Sequence, residues 1–286
     1  MKAVQGKPQH DRGGHHRETT SERQTPWQSI GISGMRNFIS DRALSEKAAL
    51  FLDVDGTMID FAASPAEVFV PAKLIQVLDA LERRLCGALA LISGRTVAEL
   101  DRLFRPLSLR AGGVHGAEMR YEPVPRLPTV EAARVLSANL WRSLNEMLDE
   151  FPGVFAENKR YSFAIHYRAS PDLGPRLLNA LRAFVVASGE DEWEIISAHF
   201  AFEIKGSGFD KGAAIEQFLA RSPFTGRVPI FIGDDWTDES GFAAVARVGG
   251  TAYSVGEARP HVSGVFPDPA SVREWLELAA AQMAPS

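Results

Sequence analysis

With 286 residues the chain exceeds the usual size of a single-core domain, so one large domain or a core interrupted by a second domain is the natural organisation. Hydrophobic residues at 45% and charged residues at 23%, with 24 Gly and 17 Pro, exclude a fibrous or largely disordered chain. A formal net charge of -5 offers no basic field to nucleic acid or anionic lipid, and no apolar run approaches the ~20 residues that cross a bilayer, so the expected partner is a small molecule.

The N-terminus has no continuous apolar stretch of the kind that directs secretion, which predicts a cytoplasmic location. Residues 1 to 25 are rich in Gln, His, Arg, Gly and Thr and have almost no apolar spacing. They cannot offset the entropy of ordering, and the segment 1–45 is expected to be a poorly ordered tail. His10, His15 and His16 are too loosely spaced for a metal tract and receive no role. From residue 48, AALFLDVD reads as a short buried strand ending in turn residues, and PAKLIQVLDALERRL as a helix with Pro71 near its start. The single Cys86 has no disulfide partner and, set between this helix and the next strand, is expected to be buried. ALALIS, TVAELDRLF and LRAGGVHG repeat the alternation, which predicts parallel strands joined by crossover helices.

After residue 117 the rhythm changes to a Pro-rich link (EPVPRLP), a helical stretch over 129–150, and FPGVFAENKRYSFAIHYR, two short strands around a turn at Glu157 to Arg160. A further helix (PDLGPRLLNALRAFVVAS) leads to EWEIISAHFAFEIK, again two strands around a turn. The first rhythm resumes at Lys211 with KGAAIEQFLARS, RVPIFIGDD, DESGFAAVARVG, GTAYSVG and SVREWLELAAAQ as helix, strand, helix, strand and helix. The fold class is therefore α/β, with a parallel-sheet core and an inserted α+β module of ββαββ type.

The sharpest chemical signal is Asp53-Val54-Asp55-Gly56-Thr57, where a buried strand runs out. Open α/β sheets bind ligands at the carboxyl ends of their strands. A chance D-x-D-G-T in a chain of this length is expected on the order of a few times in a thousand. An Asp-Gly turn explains Gly56 but not two acids ahead of it. Two carboxylates at this spacing suit a hard cation such as Mg²⁺, which takes oxygen ligands and accepts a substrate phosphate as another. A second acidic cluster, Gly233-Asp234-Asp235-Trp236-Thr237-Asp238, follows the apolar strand VPIFI; a helix cap would account for one of its acids but not for three. Ser93-Gly94-Arg95 before one helix and Lys211-Gly212 at the start of another supply main-chain N–H groups and full charges for an anion. GSGFDKG (206–212) lacks the Gly-Lys-Ser/Thr ending of a nucleotide loop, and the chain has no H-E-x-x-H, paired C-x-x-C or G-x-S-x-G motif.

These elements in this order resemble the haloacid dehalogenase (HAD) superfamily of phosphatases, over residues 48 to 283. The resemblance implies a HAD-like Rossmannoid core at 46–116 and 207–286, with a cap domain at 117–206 that sets specificity. It implies Asp53 as the nucleophile, Asp55 as acid/base and Lys211 as a catalytic and phosphate-clamping residue, with Thr57, Ser93, Gly94 and Arg95 also at the phosphate. The metal site would be built on Asp53, Asp55 through its main-chain carbonyl, and Asp234, with Asp235 or Asp238 beside them. A carboxylate attacks a dianionic phosphate poorly unless charge is neutralised, which a magnesium ion and Lys211 can do.

Within that superfamily the chain resembles the trehalose-6-phosphate phosphatase family through GGVHGAEMR (112–120), ENKRYSFAIHYR (157–168), FEIK (202–205), DKG and GDDWTDE. This resemblance implies Glu157, Lys159, Glu203 and Arg168 as contacts to sugar hydroxyls, with His115 and Glu118 facing the cleft and a sugar phosphate as substrate. His166 alternates with apolar neighbours and reads as a paired strand residue. Met58 stands where the superfamily often has Leu, a volume-conserving change. Two alternatives remain open: a phosphatase of another sugar or polyol phosphate, and a non-catalytic partner of a trehalose-6-phosphate synthase. A degenerate partner should have lost the nucleophile, the lysine or a metal acid, and all are present here. No synthase-like segment occurs in these residues, so a freely diffusing substrate and at most a transient functional link to the synthase are expected.

Overall fold

The computed structural model describes residues 44–61, 68–123, 137–159, 161–188, 193–198 and 200–283. The expectation of a disordered tail, the loose histidines and most of the Pro-rich link lie outside the described residues. The described residues open with β1 (Ala48–Leu52), α1 (Ala72–Arg84), β2 (Leu89–Ile92), α2 (Val97–Leu103), β3 (Arg110–Gly113) and β4 (Glu118–Arg120). An insertion follows: α3 (Ala138–Leu148), β5 (Phe155–Asn158), β6 (Ser162–His166), α4 (Gly174–Ala187), β7 (Trp193–Ala198) and β8 (Ala201–Gly206). The chain then returns through α5 (Lys211–Leu219), β9 (Val228–Gly233), α6 (Glu239–Arg247), β10 (Thr251–Val255), β11 (Gly264–Phe266) and α7 (Pro269–Gln282).

The core sheet has the order β11-β10-β9-β1-β2-β3-β4, parallel throughout except for the β3–β4 pair. Every residue of β1 (AALFL) is buried, as crossover helices on both faces of a parallel sheet require. Phe51 stacks on Phe224 at 5.3 Å and meets Phe218 at 6.1 Å, which fixes α5 against the centre of the sheet. The adjacent central strands β1 and β9 therefore end at one level, with the first acidic pair following one and the second following the other.

The insertion is a four-stranded antiparallel sheet in the order β5-β6-β8-β7. Alternation divides its faces. Phe163, Ile165, Phe202 and Ile204 pack with Leu144 and Leu148 of α3 and Leu177 and Leu181 of α4. The opposite parity, in the registers Glu157↔Ala164↔Glu203 and Phe155↔His166↔Ala201, is left for the core domain.

Three expectations need correction, and one strand was not foreseen. The core sheet continues through β4, in residues assigned above to the cap, because the turn Val114–Gly116 sends the chain back antiparallel to β3. Strand β11, three residues long, carries too short a pattern to be read. The helix expected over 129–150 starts at Ala138, where the Ser137 hydroxyl caps the Leu140 N–H; residues 129–136 lie outside the described residues. Cys86 is exposed, because Leu85 takes the buried position while Cys86 adopts φ 51° in the turn that ends α1. Among the described residues, no helix is long and apolar enough to cross a membrane.

Helix α5 approaches α6 so closely that a Cβ on Gly212 would lie 2.5 Å from the Ser240 carbonyl oxygen, and the Gly212 N–H donates to Ser240 Oγ at 3.2 Å. Gly212→Ala is expected to cost about 1–3 kcal/mol in urea unfolding and to lower kcat by displacing the neighbouring Lys211. Unchanged stability would show that the helices part without strain.

Candidate active site

The pairing of β1 with β9 continues one residue beyond the strand, through the Asp53 N–H to the Ile232 carbonyl at 2.9 Å. The chain then turns sharply, with the Gly56 N–H bonded to Ile59 O at 2.8 Å and φ +75° at Gly56. A Cβ on Gly56 would stand 2.1 Å from an Asp234 carboxylate oxygen, so glycine serves both the left-handed turn and the approach of the second acidic cluster. Asp238 folds back behind that cluster, and its Oδ2 accepts the Asp234 and Asp235 N–H groups, each at 3.0 Å.

Lys211 joins the parts. Its ammonium donates to Asp53 Oδ1 at 2.8 Å and Asp238 Oδ1 at 2.6 Å. The Thr57 hydroxyl lies 3.1 Å from Asp53 Oδ2 and 3.2 Å from Asp234 Oδ1, so its single proton serves one acid at a time. Burial would depress the Lys211 ammonium, but Asp238 and Asp53 outweigh it and hold its pKa well above the usual lysine range. Burial, then the charges of Asp53 and Asp238, push Asp234 up to about 9. Burial also raises Asp53, against the opposing pull of Lys211.

Carboxylate oxygens of Asp53, Asp234 and Asp238 lie within 4.8 Å of one another, and one lysine does not balance three acids. With the oxygens of Asp238 already committed, Asp53 and Asp234 are the carboxylates able to hold an ion. An all-oxygen donor set with excess negative charge fits a hard divalent cation.

A cavity of about 250 Å³ opens over this cluster, between the core and the inserted sheet. Asp53, Asp55, Lys211, Asp234 and Asp235 line it from the core, with Ser93, Gly94 and Arg95 on the β2 side. Arg95 faces Asp55 with two hydrogen bonds of 2.6 Å; burial opposes its charge, but Asp55 outweighs that and raises its pKa. Glu157, Lys159, Arg168 and Glu203 line the cavity from the insertion. His115, also in the lining, is carried by a turn in which Val114 and His115 both have positive φ (47° and 55°) and lies 2.9 Å from Glu203 Oε2. The other Glu203 oxygen accepts from the Ser162 hydroxyl. Burial would raise the Glu203 carboxyl, but Lys159, His115 and Ser162 hold it well below the usual carboxylate range. Lys159 Nζ donates to Gly94 O at 3.1 Å, a second polar link between insertion and core.

Two residues expected at the cavity, Thr57 and Glu118, do not reach it, whereas Asp238 stands beside the metal acids as expected. Thr57 is fully buried and bridges acids instead of meeting phosphate. Glu118 accepts the Val97 N–H at 2.8 Å, where the positive end of α2 attracts a carboxylate. Asp238 is fully buried behind Lys211. Conversely, His166 does reach the cavity, 3.2 Å from a Glu157 oxygen, and this bond leads the causes that lower the Glu157 pKa. Its place on the face of Glu157 and Glu203 follows from the strand pairing, so no local signal marked it. Phe61, Phe155 and Phe200 also line the cavity, and nothing in their local sequence marks them.

A family model described as trehalose-phosphatase matches residues 51–264. The chain belongs to the trehalose-phosphatase family. Trehalose-6-phosphate phosphatase of Escherichia coli is 36% identical over 235 residues, covering 82% of this chain and 87% of that protein. The "probable trehalose-phosphate phosphatase" of Sinorhizobium fredii is 39% identical over 213 residues, covering 74% and 79%. The solved C-terminal domain of C. albicans trehalose-6-phosphate phosphatase superposes with a TM-score of 0.74 at 19% identity, covering 88% of this chain and 97% of that one. That likeness speaks for the fold, and the expected α/β architecture of HAD type holds. Membership in the trehalose-phosphatase family makes the chain a phosphatase, the class for which the acid and lysine cluster was read.

Because the Glu203 carboxyl is held low in the folded chain, the stability it contributes is present above its ordinary value of 4.5 and is lost as pH falls below that value towards the folded one. Glu203→Gln carries no such charge. The stability gap between wild type and Glu203→Gln in urea unfolding, followed between about pH 7 and pH 3, is expected to narrow below 4.5. A gap that stays constant would show that the carboxylate gains nothing from Lys159 and His115.

Proposed function

We propose that this chain hydrolyses trehalose 6-phosphate to trehalose and phosphate, the last step of trehalose synthesis, with Mg²⁺ as its metal. The observation that supports this reading is the meeting of two surfaces in one cavity. The core supplies Asp53, Asp55, Lys211 and Asp234, and the inserted sheet supplies Glu157, Lys159 and Glu203. The first set suits a phosphate ester, and the second suits a polyol that needs many hydrogen bonds.

A carboxylate oxygen of Asp53 attacks phosphorus and the bond from phosphorus to the sugar oxygen breaks, leaving phosphate on Asp53. Asp55 gives its proton to the departing alkoxide and takes one from the water that then attacks the aspartyl phosphate, releasing phosphate and restoring Asp53. Lys211 neutralises charge on Asp53 and on the incoming dianion from a position fixed by Asp238. Asp55 meets the leaving oxygen by exchanging its present partner Arg95, which then faces the phosphate. Asp53, Asp234 and the Asp55 main-chain carbonyl would hold Mg²⁺, which when bound would supply charge neutralisation at the same point. Closure of the insertion over the sugar excludes bulk water.

Phosphate release across trehalose 6-phosphate, sucrose 6-phosphate and glucose 6-phosphate is expected to favour trehalose 6-phosphate, to stop with EDTA and to return with Mg²⁺. Folded Asp53→Asn is expected to keep less than about a tenth of wild-type kcat, since losing a covalent catalyst costs several kcal/mol. Substantial turnover in that variant would remove Asp53 as the nucleophile.

Glu157→Ala is expected to lose much of kcat/KM on trehalose 6-phosphate while staying within about threefold (~0.7 kcal/mol) of wild type on p-nitrophenyl phosphate. Equal loss on both substrates in the folded variant would place Glu157 in the support of the fold or the chemistry.

A further inference from the structure

The cavity-facing side of the inserted sheet changes character with distance from the phosphate end. Lys159 reaches Gly94 O, next to Ser93, and marks the near edge. Two residues along β5, roughly 7 Å by strand rise, comes the row Glu157↔Ala164↔Glu203. Two residues further comes Phe155↔His166↔Ala201, and beyond it the tip of the β7–β8 hairpin carries Phe200. The surface passes from ammonium through carboxylates to phenyl rings.

These rings are exposed to the cavity while the opposite face of the same sheet buries its own. Phe155 is 57% and Phe200 37% exposed, against 0% for Phe163 and 5% for Phe202. Part of each ring stays out of the protein interior, although Phe200 also meets Tyr167 edge-on at 6.1 Å; apolar surface left open on a ligand cavity marks a place where a ligand supplies the rest of the cover. Their positions are also built. Phe155 stacks on His166 at 4.7 Å with the planes 21° apart, which fixes its ring beside the Glu157 row. Phe200 holds φ 53°, a left-handed conformation that a bulky residue rarely adopts, and its carbonyl accepts the Tyr167 N–H at 3.0 Å.

We propose that Phe155 and Phe200 seat the sugar ring farther from the phosphate and thereby make the chain selective for a disaccharide phosphate over a monosaccharide phosphate, a proposal that rests on the reading given under Proposed function. The apolar C–H face of a pyranose lies on a phenyl ring while its edge hydroxyls turn to carboxylates and to Arg168, whose guanidinium carbon lies 5.9 Å from the Phe200 ring centre. A monosaccharide phosphate engages the phosphate end and the Glu157 row and leaves the rings in water.

The test measures kcat and KM for wild type, Phe155→Leu, Phe200→Leu and the double variant on trehalose 6-phosphate and glucose 6-phosphate, with circular dichroism to confirm folding. Leucine keeps apolar bulk and removes the ring face. Each single variant is expected to lose about three- to tenfold in kcat/KM on trehalose 6-phosphate, the size of one well-placed ring contact. The loss should fall mainly in KM, with glucose 6-phosphate within about twofold. Phe200→Tyr, which keeps the face, is expected to match wild type. Should Phe200→Leu fail to fold, Phe200→Met against Phe200→Tyr makes the same comparison. An active wild type whose leucine variants lose nothing, or lose equally on both substrates, would overturn this inference alone. A wild type inert on trehalose 6-phosphate yet active on another sugar phosphate would overturn the reading given under Proposed function.

Discussion

The buried ammonium of Lys211, held between Asp53 and Asp238, is the contact on which the rest of the site is arranged. It ties the start of α5 to the carboxyl ends of β1 and β9, three points far apart in sequence. Taking these charges out of water is expensive, and removing one partner of such a cluster typically costs about 3–5 kcal/mol because the others are left uncompensated. The fold meets that cost with close approach. A Cβ on Gly233 would stand 2.3 Å from the Asp238 carboxyl carbon, and a Cβ on Gly56 would collide with Asp234. Glycines at these places are what allow three acids and a lysine to share one volume. The same crowding leaves more negative charge than one lysine neutralises, which gives the site its demand for a cation.

The inserted sheet depends on the core in a different way. Its helix-facing side is an ordinary apolar core, whereas its other side has little to bury and is held to the catalytic domain by polar links, His115 to Glu203 and Lys159 to the Gly94 carbonyl. Both links run through residues that line the cavity, so the groups that join the two domains are also groups that a sugar phosphate would touch. His115 reaches Glu203 because two consecutive residues adopt left-handed backbone angles, a local strain spent on aiming one imidazole across the domain boundary.

The strand ends and the motifs that follow them were legible in the sequence because each is local. An apolar run stops, acids and glycine follow, and strand geometry leaves few places for them to go. Glu118 and Thr57 were misplaced for the complementary reason. Both sit in motif text beside true cavity residues, yet one faces the end of α2 and the other the space between two acids. Spacing along a chain does not say towards which neighbour a side chain turns. His166 was passed over because its alternation with apolar residues fits a buried strand, and only the pairing of β6 with β5 and β8 shows that its parity is that of Glu157 and Glu203.

The sequence by itself determined the α/β core, the inserted α+β module and the strand-end positions of Asp53, Asp55, Lys211 and Asp234, which the structure gathers around one cavity, because hydrophobic periodicity and short motifs are properties of neighbouring residues. Only the tertiary structure decided which acid stands behind the lysine, which arginine pairs with Asp55, and which phenylalanines line the cavity. Those outcomes depend on contacts between segments as distant as Arg95 and Asp55, Lys211 and Asp238, or His115 and Glu203. Burial and partner choice at such places are set by packing, whose energy exists only once the sheets have formed.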